Sequence, residues 1–506
     1  MNIAEVFVDR HLAEGRGART AFRFAGRAVT YTTLADQVNR CGNALRERGV
    51  GRGDRVLLAL EDSPAFAAAF WGTARIGAVA VPVNTLMTTA EYEFLLDDSG
   101  ATAAVVEPGI AEPLRAVAGR CPALRSLLAT GGAFEGALAQ ASPALDPAPT
   151  SAGDVAYWAY TSGSTGAPKG ALHTHDHCVA AADRVGVEVF GVGPDDLCFS
   201  ASKCSFSFGL GNTLLFPARV GAASVLEPER LTAERAFEVI ARERPTVFFA
   251  VATLYARMLQ VEDAAGRWDL SSLRLCVSSG EALPPALFDA WRARFGLELT
   301  DVIGSTEALH DFIANRPGQA RRGSTGRLVP GFEARIVHDD GQPVPPGAAG
   351  HLLIKGPTTA PSYWNRPERT AATMLGQWLR TGDMFRQDAE GWFYFEGRSD
   401  DMLKVAGQWV SPAEVEARLV EHPAVVEAAV VARQDASGLL RPHAFVVLHQ
   451  ETAGTAALAA ALTTFVRERL AGYKVPATID VVAELPKTAT GKIQRYRLRG
   501  DVRGTV

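Results

Sequence analysis

The 506-residue chain has few cysteines, no surplus of basic charge and no long unbroken apolar run. Its six cysteines, Cys41, Cys121, Cys178, Cys198, Cys204 and Cys276, are scattered without a C-x-x-C pair, so they are expected to be reduced, mostly buried thiols rather than a disulfide framework. With 51 Lys and Arg against 56 Asp and Glu, the formal net charge is −5, which argues against nucleic acid as a main partner. The most apolar window, "AFAAAFWGTARIGAVAVPV", is interrupted by Arg75, two glycines and a late proline. It is expected to be a buried helix followed by a strand, not a bilayer span. The first residues, "MNIAEVFVDRHLAEGRGART", mix acids and bases without an apolar signal core, and a cytoplasmic location is expected. A P-loop is also missing. In "YTSGSTGAPKGALHTHDH" the sixth position from Gly163 is Pro168, not glycine, and Lys169 is followed by Gly170 rather than Ser or Thr.

The length implies two or more domains, and 47% hydrophobic with 21% charged residues is ordinary globular composition. The first third alternates amphipathic helices such as "TYTTLADQVNRCGNALRERG" with apolar strands such as "DRVLLAL", "VAVPVN" and "ATAAVVEP". "PTVFFAVAT" and "LRLCVSSG" continue the pattern. This alternation predicts an α/β fold with mostly parallel, helix-covered sheets. The Ala/Pro-rich "GALAQASPALDPAPTSAG" reads as a surface connection. From about Ala334 short strands with Gly/Pro turns predict a small β-rich subdomain. After "EGRSDD" a compact α+β unit of helix, strand, strand, helix and strand follows. The expected domains are residues 1–399 and 400–506, with the boundary at Asp400.

Four segments carry chemistry, each with a plainer alternative. The hydroxyls and glycines of Thr161, Ser162, Gly163, Ser164, Thr165 and Gly166, with the cation Lys169, suit phosphate oxygens, though a small-residue loop between strands is common on any surface. In "DVIGSTEALHDF", Thr306 and Glu307 offer a hydroxyl beside a carboxylate, as a phosphate-bridging Mg²⁺ requires; the same residues also suit a helix start. Asp383 and Arg398 flank two short strands, either to hold ribose hydroxyls and phosphate or as a structural ion pair. Lys492 in "ELPKTATGKIQR" would, alone, be a solvated charge. The alternating His173, His175 and His177 could share one face of a strand, but Asp176 and Cys178 would face away, and the three are taken as structural.

Taken in order, "YTSGSTGAPKG", "GSTE", "TGD", "GRSDDMLKVAG" and "PKTATGKIQR" resemble the adenylate-forming superfamily of acyl- and aryl-CoA ligases, luciferases and peptide synthetase adenylation domains. The resemblance spans essentially the whole chain. It implies an acid–thiol ligase that uses ATP, Mg²⁺ and CoA: a carboxylate attacks ATP to give an acyl-adenylate and pyrophosphate, and the acyl group then passes to a thiol. By resemblance, the Thr161–Lys169 loop holds the β- and γ-phosphates, Thr306 contacts phosphate and Glu307 binds Mg²⁺. Asp383 holds the ribose with Arg398 nearby. Ser279, Gly280 and Glu281 of "SSGEALP", with Asp301, line the adenine, and Lys492 reaches the carboxylate and α-phosphate. Ile303 stands where an aromatic residue often stacks on adenine. The small domain would swivel about Asp400, bringing in Lys404, Ala406 and Gly407, with Gly407 leaving room for the pantetheine arm.

"KCSFSFGLGNTLLFP" lacks the aspartate that would bind an amino acid's ammonium. Together with "GSTEALHDF" and "DDMLKVAGQWVSPAEVEA", it most resembles benzoate-type CoA ligases. The implied acid pocket is flat and aromatic, walled by Phe208, Ala250, Ile303 and His310 along Gly209 and Gly304. Ser207 is placed to donate to a ring hydroxyl or amino group, which keeps hydroxybenzoates such as salicylate open. The alternatives are loading of a carrier-protein phosphopantetheine, a medium-chain acyl-CoA ligase and a catalytically dead nucleotide-binding protein. The expected partners are an aromatic acid, ATP and CoA, with no nucleic acid and no membrane span; a homodimer stays open.

Overall fold

The computed structural model describes residues 1–161, 168–399, 401–405, 408–434, 440–449, 454–487 and 493–499. Two large sheets dominate the N-terminal domain. The six-stranded sheet runs Ser126–Ala129, Ala103–Val106, Arg55–Ala59, Val79–Pro82, Val155–Thr161 and Lys169–Thr174, parallel except for the last pair. In the nine-stranded sheet, Thr20–Phe24, Ala223–Val225, Leu197–Ser200, Val247–Ala250, Leu275–Ser278 and Leu299–Gly304 are parallel neighbours in that order. Antiparallel strands close both edges.

Strand alternation explains why both faces of these sheets are apolar. Val56 and Leu58 enter a core shared by the two sheets, while Leu57 and Ala59 enter an outer one under the helices Thr89–Ser99 and Pro108–Ala118. In the other sheet Val247 and Phe249 face the shared core, and Phe248 and Ala250 face a third core with Phe237, Tyr255 and Trp291. The helices between the sheets must therefore be apolar all round. Pro64–Arg75 fits this: Ser63 caps its start by accepting from Phe66 N, Pro64 opens it, and every residue from Phe66 to Arg75 is buried. The expectation of a buried helix leading into a strand thus holds. Arg75 at its end is an ion paired inside the protein, with Asp9 at 2.7 Å and the carbonyl of Leu145 at 2.8 Å.

The Ala/Pro-rich stretch is a mostly exposed connection, as expected, but it is anchored at several buried points. "GALAQ" completes the helix Ala133–Gln140, and the segment beyond buries Ala141, Leu145, Ala148 and Thr150. Its carbonyls are satisfied by side chains of the one helix Tyr31–Glu47: Asn39 donates to Pro143 O, Arg40 to Ala141 O and Asn43 to Ser142 O, each at 2.8 Å. These donors lie far away in sequence, so local composition cannot show the anchoring.

The β-rich subdomain is an antiparallel sheet of Glu333–Val337, Gly350–Lys355, Trp378–Gln387, Met374–Leu375 and Phe393–Arg398. The C-terminal domain follows the expected order: helix Pro412–Val420, strands Val425–Gln434 and Leu440–Leu448, helix Ala456–Arg467 and strand Thr478–Val481. Its own core gathers Val415, Leu419, Val430, Val446, Leu462 and Ile479. No helix among the described residues is long and apolar enough to cross a membrane.

Helices Tyr31–Glu47 and Pro64–Arg75 touch where Gly42 meets Gly72. A Cβ at Gly72 would lie 2.9 Å from Cys41 Cβ and 3.0 Å from Val38 O. Gly72→Val is expected to remove about 1–3 kcal/mol from the N-terminal domain by overpacking, measured as a lower urea midpoint with the C-terminal transition unmoved.

Candidate active site

The loops that follow the parallel strands open into one cleft of about 1830 Å³, bounded by the large sheets, the β-rich subdomain and the C-terminal domain. This is where an open parallel sheet offers its strand ends to a ligand. Thr161 ends one strand and Lys169 begins the next, and the two are cross-strand partners that close the intervening loop. Lys169, Glu281, Asp301, Ile303, Gly304, Thr306, Glu307, Asp383 and Arg398 all line this cleft, although up to 237 residues separate Thr161 from Arg398 in sequence. Gly280 lines it too, whereas Ser279 turns its hydroxyl to Asp311 Oδ1 at 3.2 Å. Ser162, Gly163, Ser164, Thr165, Gly166, Asp400, Ala406, Gly407 and Lys492 lie outside the described residues; Lys404 lies in the strand Leu403–Val405.

At the centre stands a residue that the sequence motifs did not single out, Tyr363. Its hydroxyl donates to Glu307 Oε1 at 2.6 Å and accepts from Lys169 Nζ at 3.0 Å. Lys169 Nζ is also 4.2 Å from the Tyr363 ring centroid and 4.0 Å from Glu307 Oε1. Burial lowers the Lys169 pKa, opposed by the Glu307 charge, with Arg369 and Arg398 adding to the lowering. The segment carrying Tyr363 is itself fixed: Ala360 N donates to Glu307 O at 2.7 Å, Trp364 N to Gly170 O at 2.8 Å, and Ala171 bridges Tyr363. "PSYWN" has no glycine-rich or charged signature, so only the fold shows its importance.

Thr306–Ala308 is a short 3₁₀ turn whose first residue is preceded by Ser305, and Ser305 Oγ accepts from Ala308 N at 3.2 Å. Glu307 therefore sits in a first turn, as the helix-start alternative expected, and lines the cleft as well. The turn ends at Leu309 with φ +65° and ψ −46°, while His310 N donates to Ala308 O at 2.8 Å. This is a γ-turn at a non-glycine residue, a strained geometry that buried surroundings hold in place. Asp383 is 4% exposed and pairs with Arg398 Nη1 at 2.8 Å across a strand register. The ion pair offered as one alternative is present, and both of its residues line the cleft.

Of the residues expected to wall an acid pocket, Ile303 and Gly304 line the cleft. Behind Gly304, whose Cα leaves no room for a Cβ against His310 O, lies an aromatic layer. The His310 ring is 5.4 Å from Phe208 and 4.6 Å from Phe216, and Phe208 is 6.2 Å from Phe249. Gly211 exists for this contact, because a Cβ there would meet His310 Cδ2 at 2.3 Å. Ser207, Gly209 and Ala250 are buried beside the same strand ends. Burial raises the Asp301 carboxyl well above the usual range, with the Asp311 charge adding to it and the Thr325 hydroxyl opposing.

The three histidines do not share a strand. The strand ends at Thr174, whose hydroxyl caps the helix His175–Ala181, so His173 is on a strand and His175 and His177 on a helix. They are structural. His173 Nε2 must donate to Thr306 O at 2.7 Å, which leaves Nδ1 as the acceptor facing His177 Nδ1 at 3.3 Å. No group of three His, Cys, Asp or Glu suited to a metal occurs among the described residues.

With this geometry in place, residues 9–364 match the AMP-binding enzyme family and residues 414–492 match the AMP-binding enzyme C-terminal domain; the chain belongs to that family of enzymes. It is 44% identical to a benzoate–CoA ligase of Thauera aromatica over 98% of this chain and 95% of that protein. It superposes on the anthranilate CoA ligase AuaEII in complex with anthranoyl-AMP with a TM-score of 0.94 at 40% identity, covering 98% and 96% of the two chains. For a benzoate CoA ligase from Burkholderia xenovorans LB400 the TM-score is 0.92 at 41% identity, covering 99% and 100%.

Burial lowers the pKa of His173 to about 3 and those of His175 and His177 to about 4, against 6.5 unfolded. Their contribution to stability is complete above 6.5 and is lost as pH falls towards 4, by up to about 1.4 kcal/mol per pH unit for each group. Asp62, raised by burial to about 6, acts in the opposite sense, losing stability as pH rises from 3.8 through 6. Urea midpoints are expected to fall between pH 6.5 and 4.5, and His173→Gln to make that fall shallower. An unchanged slope in the variant would contradict the neutral, buried His173.

Proposed function

We propose that this chain is an AMP-forming aryl-CoA ligase that activates a benzoate-type acid, benzoate or a hydroxybenzoate, with ATP and passes the acyl group to CoA. The observation that carries this reading is the single cleft in which Lys169, Glu307, Asp383 and Arg398 meet beside the Phe208–His310 aromatic layer. Family membership and the named activities of its relatives support it.

The first reaction brings a carboxylate against a triphosphate. Repulsion between unit charges about 4 Å apart is roughly 1 kcal/mol in water and several-fold more in a drier site. The acid's oxygen bonds to the α-phosphorus as the bond to pyrophosphate breaks. In this reading Lys169, together with the Thr161–Lys169 loop, offsets the charge that accumulates on the departing pyrophosphate. Tyr363 holds Lys169 and Glu307 at fixed positions so that neither must reorganise. Asp383, oriented by Arg398, accepts the ribose hydroxyls. Glu307 and the Thr306 hydroxyl form an all-oxygen donor set with one carboxylate, which fits a Mg²⁺ ion held mainly by phosphates. When bound, that ion would neutralise phosphate charge.

In the second reaction a thiolate attacks the acyl carbon and AMP leaves. We assign the lid exchange this needs to a hinge at Asp400, dividing 1–399 from 400–506, with Lys492 serving adenylation and Lys404, Ala406 and Gly407 serving the thiol step. A cytoplasmic location is supported by six free, buried cysteines.

The test is pyrophosphate release with ATP and Mg²⁺ across benzoate, hydroxybenzoates, cinnamate and octanoate, with and without CoA. A benzoate-type acid is expected to win and to give a CoA thioester. Octanoate winning would contradict the aromatic pocket, and an adenylate never passed to CoA would shift the acceptor to a carrier protein. Tyr363→Phe is expected to cut kcat/KM for ATP about 10-fold or more and to raise the Mg²⁺ concentration needed for half activity. The KM for the acid should remain unmoved.

A further inference from the structure

The sequence run around Phe208 has no acidic residue, yet the fold brings one to the aromatic layer from another strand. Asp311 begins the strand Asp311–Ala314, pairs with Gly304 and is 2% exposed. One carboxylate oxygen, Oδ1, accepts from Ser279 Oγ at 3.2 Å. The other, Oδ2, is 3.0 Å from His310 Nδ1, but the two lack hydrogen-bond geometry, and each is buried without a hydrogen-bond partner among the described residues. A buried carboxylate oxygen left without a donor is costly, and proteins seldom keep one without a use. The γ-turn at Leu309 sets the backbone approach of His310 and Asp311.

The neighbourhood is polar in the same unfinished way. The hydroxyls of Ser207 and Tyr157 are buried and adjacent without closing a hydrogen bond of good geometry, and both polar atoms of the fully buried Asn212 side chain are unpaired among the described residues. A pocket meant for an unsubstituted ring would gain from apolar residues at these places. A carboxylate accepts hydrogen bonds and repels acceptors, so the missing group is a donor.

We propose that Asp311 is a specificity-determining residue that accepts a hydrogen bond from a ring substituent of the acid, making the preferred substrate an amino- or hydroxybenzoate rather than benzoate itself. This rests on the aryl-CoA ligase reading above. A site built to bond a ring N–H or O–H rejects the analogue that lacks it far more strongly than an apolar pocket rejects a size change.

The experiment compares kcat/KM for pyrophosphate release in the wild-type enzyme with benzoate and with the three isomers each of hydroxy-, amino- and methylbenzoate. The methyl series matches size without a donor. One donor-bearing isomer is expected to exceed both benzoate and its methyl counterpart by about 10-fold or more. Asp311→Asn, nearly isosteric, is expected to shrink that ratio by a similar factor with the KM for ATP unchanged. An amino or a hydroxyl isomer winning names the donor. Benzoate or a methylbenzoate winning, or an unchanged ratio in Asp311→Asn, would overturn this proposal while leaving the ligase reading intact. Release with no aryl acid, but with another acid, would overturn both.

Discussion

The arrangement depends on one phenolic hydroxyl. Tyr363 lies between a cation and an anion, 3.0 Å from Lys169 Nζ and 2.6 Å from Glu307 Oε1, and so fixes the separation of the two charges before any ligand arrives. Lys169 belongs to the six-stranded sheet, Glu307 to a turn after a strand of the nine-stranded sheet, and Tyr363 to the connection between the strands Gly350–Lys355 and Met374–Leu375 of the β-rich subdomain. A hydrogen bond between neutral partners contributes about 1 kcal/mol to stability, and charge-assisted ones more, but the larger effect here is orientation. Three separately built layers are registered against one another at the place where charges must be accurately set.

The same economy recurs around it. His173, neutral because it is buried, donates to the carbonyl of Thr306 and steadies the turn that carries Glu307. The strained Leu309 ends that turn and sends His310 into the aromatic layer. The cleft-lining carboxylate of Glu307 and the ring of His310 are thus separated by two residues of rigid backbone. In the proposed reading this links the positions of the two substrates through a short, rigid turn.

Much of this was legible in the sequence, for identifiable reasons. Alternation such as that of Val56, Leu57, Leu58 and Ala59 declares a strand buried on both faces, and Ser63-Pro64 declares a helix start. Thr161, Lys169, Thr306, Glu307, Asp383 and Arg398 could be named because their chemistry is concentrated in short runs. Tyr363 and Asp311 could not. Each becomes significant only through a partner from another sheet or strand, and a lone tyrosine or aspartate carries no local signal. The same limit hid the anchoring of residues 141–150, whose donors Asn39, Arg40 and Asn43 lie about a hundred residues upstream. The shared strand face that the histidine alternation allowed is absent for a related reason: a period of two was visible, but the cap at Thr174 converts strand to helix within it.

The central claim is that one cleft holds a nucleotide and an aryl acyl group side by side. The most direct measurement is the affinity of a non-hydrolysable benzoyl-adenylate mimic, by titration calorimetry, for the wild-type protein and for Asp383→Ala and Lys169→Ala. Because the mimic carries both substrates but no pyrophosphate, the account predicts binding at least about 100-fold tighter than the acid alone, lost with Asp383→Ala and nearly retained with Lys169→Ala. No binding, or binding indifferent to Asp383, would contradict it.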